Sequence, residues 1–183
     1  MNTLSRRSFL KHATTTGAAL VAAGGLEAAW AAKPGSNMKS GLVTYQWAKD
    51  WDLPTLIANC ETAKVYGVEL RTTHKHGVEP NLDKQQRIEV KKRFDDSPVT
   101  LVGIGSNERL DNPNPDVLAK AIQATKDFII LSQDVGGSGV KVKPNDLHKG
   151  IPREKTIEQI GKALNTLGAF GADHAQQIRL EDA

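Results

Sequence analysis

Between residues 41 and 181 the chain alternates short β-branched runs with amphipathic segments of helical period, four times over, and then opens a fifth run. The strand-like runs fall at 41–47, 67–71, 99–104, 139–143 and 178–181, and none shows a helical period. The first helical segment runs from 53 to about 65, with Asp52 as its cap, Pro54 in its first turn, and Leu53, Leu56, Ile57, Cys60 and Ala63 on one face. The second, 82–94, places Leu82, Ile88 and Val90 among many charges. The third runs from 116 to about 135, after the helix-entry loop Asn112-Pro113-Asn114-Pro115. Its apolar face includes Val117, Leu118, Ile122, Phe128, Ile129 and Leu131. The fourth, 153 to about 173, carries Ile157, Ile160, Leu164 and Leu167 at spacings of three and four. A strand that returns through a helix to a neighbouring strand does so by a right-handed parallel crossover, so the expected class is α/β with a parallel sheet. The run 99–104 is apolar enough to expect both of its faces covered.

In such an architecture the chemistry gathers at the carboxyl ends of the strands. Those ends carry Tyr45, Gln46 and Trp47; Glu69, Arg71, His74 and His76; Ser106, Asn107, Glu108 and Arg109; Lys141, Lys143, Asn145 and Asp146; and finally Glu181. That is more ionisable groups than loops need. Glu69 and Arg71 alternate onto one face of their strand and either serve a substrate or simply pair with each other. His74 and His76 have a spacing compatible with metal binding, but no carboxylate is fixed beside them in sequence. The candidates for substrate contact and proton transfer are Glu69, His76, Glu108 and Lys141.

Other chemistries have little support. Gly103-Ile104-Gly105-Ser106 follows a strand, but Pro113 and Pro115 intervene before any helix, so no phosphate can sit on a helix N-terminus in the dinucleotide-binding manner. Gly136-Gly137-Ser138-Gly139 precedes its strand and reads as a turn. There is no Gly-x-Ser-x-Gly elbow, and Cys60 is the only cysteine, which excludes a cysteine cluster and an intramolecular disulfide.

The segments VELRTTHKHGVEP, GIGSNERLDNP, GVKVKPNDL and REKTIEQIGKALN, in this order, resemble the sugar phosphate isomerase/epimerase group of the xylose isomerase-like TIM barrels. That group shares a superfamily with endonuclease IV. The likeness covers residues from about 40 to 181 and rests on the ordered set of strand ends. It implies a partial (β/α)8 barrel: about four βα units plus the start of strand five, spanning 41–183, where a complete barrel takes about 250 residues. It also implies a divalent-metal site whose first ligand, a Glu at the end of strand five, corresponds to Glu181. The further Asp, His and Glu ligands would come from strands six to eight. The expected ligand is a sugar or sugar phosphate. Since one carboxylate does not hold a divalent ion usefully, stable metal binding by this chain is not expected.

At the other end, Ser5-Arg6-Arg7-Ser8-Phe9-Leu10-Lys11 resembles a twin-arginine export signal. An Ala/Gly-rich stretch follows, too weakly apolar to remain in a bilayer, and then Ala29-Trp30-Ala31, a plausible cleavage site. This predicts a signal helix and signal peptide over 1–31, a linker over 32–40, and a periplasmic or secreted product. The signal carries Arg6, Arg7, Lys11 and Glu27, so its removal lowers the formal charge from +3 to +1. The basic balance is thus largely the signal's, and neither nucleic acid nor a membrane surface is an expected partner. Two functional readings follow. One is an isomerase/epimerase-family fragment lacking its catalytic half. The other is a half-barrel that forms a homodimer through its open edges, or acts as a carbohydrate-binding module without catalysis.

Overall fold

The structure, a computed structural model, describes residues 39–181. The signal peptide expected over 1–31 and nearly all of the linker expected over 32–40 lie outside the described residues. Five parallel strands alternate with four helices: β1 Gly41–Val43, α1 Leu53–Ala63, β2 Gly67–Arg71, α2 Lys84–Asp95, β3 Thr100–Arg109, α3 Pro115–Asp134, β4 Gly139–Lys143, α4 Arg153–Asp173 and β5 Gln177–Leu180. The sheet order is β1-β2-β3-β4-β5, with every pair parallel. No helix among the described residues is long and apolar enough to cross a membrane.

Local chemistry fixes the helix ends. The Thr55 N–H donates to Asp52 Oδ1 at 2.9 Å at the start of α1. Lys64 closes that helix in a left-handed conformation (φ 57°), so that its last residue, Ala63, falls two residues before the expected end near 65. At α2, Asp83 and Gln86 form a reciprocal capping box, with the Gln86 N–H donating to Asp83 Oδ1 at 2.8 Å and the Asp83 N–H to Gln86 Oε1 at 2.9 Å. The box starts α2 at Lys84, and Leu82 packs against the core from outside the helix. Asn114 caps α3 through the backbone N–H groups of Asp116 and Val117.

Strand alternation sorts the side chains into two sets. Val68, Leu70, Leu101, Ile104, Val140 and Val142 are buried in one core with Leu56, Phe128, Ile129, Leu131 and Leu167 from the helices. The other set faces a concave inner surface. Three expectations change here. The first strand ends at Val43, and Tyr45 and Trp47 lie in the bend that follows. β3 runs on to Arg109, and Val102 on it is exposed, so this strand is not covered on both faces. Ile157 of α4 is also exposed, while Leu167 is buried as expected and Thr156 and Ala163 are buried with it.

Candidate functional site

Strands β2, β4 and β5 each place a charged side chain on the inner surface near their carboxyl ends, and β3 contributes almost no side chain there. Gly105 explains how the charges meet: a Cβ at that position would lie 3.2 Å from Glu69 Oε1 and 3.7 Å from Lys141 Cε. The space it leaves belongs to a cavity of about 290 Å³ that is lined by Glu69, Arg71, Asn107, Lys141, Lys143 and Glu181, with Val43 and Tyr45 at its β1 side.

A ladder of alternating charge crosses the floor. Lys141 Nζ lies 2.7 Å from Glu69 Oε1 and 3.4 Å from Glu181 Oε1, and Lys143 Nζ lies 3.7 Å from Glu181 Oε2. The Glu69 side chain is 14% exposed. Its contact with Lys141 falls outside hydrogen-bonding angles, so Oε1 is buried as an ion-pair partner with no hydrogen bond of its own. Arg71 is held differently. Its Nη2 donates to Asn107 Oδ1 at 3.1 Å, and its guanidinium lies 4.2 Å from the centre of the Tyr45 ring. Its backbone N–H donates to Thr44 Oγ1 at 3.0 Å, which ties the end of β2 to the end of β1.

Of the residues expected from sequence, Glu69, Lys141 and Glu181 come together in this cavity. His76 and Glu108 are not among the residues lining it. The His76 Nδ1 accepts from the Val78 N–H at 3.0 Å, which leaves Nε2 as the N–H that donates to the Arg71 carbonyl at 2.9 Å. Burial, opposed by that bond to Arg71, holds its pKa below the ordinary 6.5. The imidazole therefore braces the loop behind the cavity. Glu108 lies one residue out of step with Gly105 and Asn107, and burial raises its carboxyl pKa. His74 sits against Thr44 Oγ1 at 3.0 Å, and burial, reinforced by Arg71, lowers its pKa.

Sequence reasoning collected Asn107 among the strand-end residues but did not name Gly105 as a site residue, and it gathered Arg109 and Asp146 at strand ends without joining them to Asp111 and His148 in a second charged cluster at the rim. There Arg109 Nη2 bridges Asp111 at 3.1 Å and Asp146 at 2.6 Å, while His148 Nε2 lies 2.7 Å from Asp111 Oδ2. Burial raises the Asp111 pKa, but hydrogen bonds from Arg109, His148 and the backbone outweigh it and hold the carboxyl below its ordinary value. The cluster joins the loops after β3 and β4. The Asn107 backbone (φ 62°) takes a left-handed conformation that Asn tolerates, and the β3–β4 register shifts between Gly105 and Arg109.

Residues 57–182 match the family described as xylose isomerase-like TIM barrel. Among solved structures, the chain is similar to the IOLI protein with a bound zinc atom (TM-score 0.67, 14% identity, covering 78% of this chain and 51% of that one). It is similar to D-psicose 3-epimerase with D-tagatose from Clostridium cellulolyticum H10 (TM-score 0.65, 17% identity, 77% and 51%). It is also similar to 3-keto-D-glucoside 4-epimerase, YcjR, from E. coli (TM-score 0.63, 12% identity, 78% and 55%). The chain thus spans about half the length of these structures, and at such identities the likeness establishes the fold. No curated protein sequence matches.

Proposed function

We propose, from the premise that this chain belongs to the xylose isomerase-like TIM barrel family, that its cavity is the substrate-side wall of a site that isomerises or epimerises a sugar by proton transfer. The observation that carries this is the Glu69–Lys141–Glu181 ladder, an alternating set of acceptors and donors on the inner ends of β2, β4 and β5. Glu69 Oε1, without a hydrogen bond, suits a sugar hydroxyl, and Lys141 beside it suits a carbonyl oxygen on which charge develops. Sugar epimerases among the structural neighbours support the same reading.

A divalent ion is the cofactor that the zinc-bound neighbour suggests. The residues described here do not fit one. Both Glu181 oxygens face lysine ammonium groups, and among the described residues no three His, Cys, Asp or Glu side chains converge to hold an ion. Lys141 and Lys143 place positive charge where a cation would sit, so metal dependence is no part of this proposal.

The chain should bind a ketose in this cavity. Calorimetric titration of the purified protein with a panel of ketoses, repeated on Glu69→Gln and Lys141→Met, is the test. Both variants should weaken binding about tenfold, as expected for a lost charge-assisted hydrogen bond. Binding that neither variant changes would overturn the site assignment, and turnover abolished by a chelator would overturn the metal-independent reading. A second reading, a homodimer that pairs the open sheet edges of two copies, is favoured by β1 and β5, each of which has only one strand neighbour in the described sheet.

A further inference from the structure

Beyond the end of β1 at Val43, both backbone polar groups of Arg71 are held by side chains. Its N–H donates to Thr44 Oγ1 at 3.0 Å, an oxygen that lies 3.0 Å from His74 Nδ1, and its carbonyl accepts from His76 Nε2 at 2.9 Å. Two histidines of one loop thus bear on the backbone of a residue that lines the cavity. They are not equivalent. His76 is 8% exposed, and its Nδ1 accepts from the Val78 backbone N–H at 3.0 Å, a donor that cannot turn away. A proton on that nitrogen would set two N–H groups against each other inside the protein. His74 Nδ1 faces a hydroxyl instead, which donates or accepts by rotating.

The charges around the pair leave this asymmetry in place. Glu79, which accepts from Thr72 Oγ1 at 2.8 Å and from the Thr73 N–H at 2.6 Å, favours protonation of both rings. Asp50 favours it at His74, where Arg71 and Lys49 oppose it. At His76 the opposing charge is that of His74, whose ring centre lies 6.0 Å away. Asp52, Glu89 and Arg93 share with His76 the groove beside α1 and α2. Burial outweighs the favourable contacts and moves His76 protonation below pH 6.5.

We propose that His76 is a proton-sensitive latch that positions Arg71 in the cavity. Neutral, it holds the Arg71 carbonyl. Protonated, it gives up the Val78 N–H, leaves its buried place and releases that carbonyl. Acid then loosens the guanidinium from Asn107 and Tyr45 and weakens ligand binding while the sheet stays folded. The inference rests on the sugar reading above for the ligand, and adds the control of that site by pH.

The test is an NMR titration of the full, isotopically labelled chain from about pH 7.5 to about pH 5, on the native protein, His76→Gln and His74→Gln. Gln keeps a donor and an acceptor but does not titrate. In the native protein the His76 ring, the Val78 amide and the Arg71 side-chain N–H should shift with one midpoint below 6.5, while the amides of Leu131 and Val140 in the core keep their folded positions. His76→Gln should abolish the Arg71 transition, and His74→Gln should leave it. An Arg71 signal that moves apart from His76, moves together with the core, or is silenced by His74→Gln would overturn the latch. So would a His76 that stays neutral throughout. If His76→Gln does not fold, the midpoints in the native protein decide alone. Calorimetric titration with the ketose panel at both ends of the range reads the consequence. Binding should be about tenfold weaker in acid for the native protein and His74→Gln, and closely similar at both pH values for His76→Gln. Equal binding by the native protein at both pH values would overturn the latch's control of the cavity. No ketose bound at either pH would overturn the sugar reading, with the latch still decided by the spectra.

Discussion

At the scale of single residues, His76 shows why a histidine at a strand end need not be catalytic. Both of its ring nitrogens bond to backbone, and burial keeps its folded pKa below 6.5. The unfolded chain therefore takes up a proton first as pH falls. The stabilisation is fully present above pH 6.5 and is lost as pH drops from there through the folded value. His74 acts in the same direction. His76→Ala, which leaves the Val78 N–H and the Arg71 carbonyl without this partner, should cost about 1–3 kcal/mol at pH 7.5. It should also flatten the pH dependence between 7.5 and 5.5 in urea denaturation. An unchanged slope would show that the imidazole does not couple folding to protonation. Glu69, Lys141 and Glu181 were legible as strand-end residues, Glu181 through the family resemblance as well, and alternation with period two turns them inward. The same count separates Glu108 from Gly105 and Asn107, which residue type alone had obscured. The bonds that occupy His76 come from its own loop, and no spacing rule announces them.

Among the elements, β2, β4 and α4 stand where hydrophobic period and turn residues put them. The length of β3 was not legible, since its last residues are polar and its inner positions are glycine. Gly103 has a steric reason: a Cβ there would lie 2.5 Å from the Gly139 carbonyl oxygen of the neighbouring strand, and 2.6 Å from Arg179 Nη1. Gly161, on the exposed side of α4, has nothing within 4 Å of such a Cβ. Gly103→Ala should thus destabilise by about 1–3 kcal/mol by forcing β3 and β4 apart. Gly161→Ala should stabilise by about 0.4–1 kcal/mol by restricting the unfolded chain. Thermal melts of the two variants check both signs at once, and equal shifts would refute the strand-contact explanation.

For the whole molecule, Val43, Tyr45, Val102 and Leu180 are exposed, and Trp47 after β1 is 84% exposed. If such surfaces pair two copies, light scattering on the purified protein should give twice the monomer mass, and Trp47→Ser together with Leu180→Ser should shift it to monomer. A monomer at every concentration would remove the dimer reading. Export through the twin-arginine route is a proposal carried by residues 5–11, the Ala/Gly-rich stretch after them and Ala29-Trp30-Ala31. The order of strands has one more consequence. Each strand in the described sheet pairs only with strands adjacent to it in sequence, so every pairing closes a loop of a single βα unit. Non-local closure is what slows parallel sheets. Here each strand can dock as soon as its own helix has left the ribosome, so the sheet can be assembled in the order of translation.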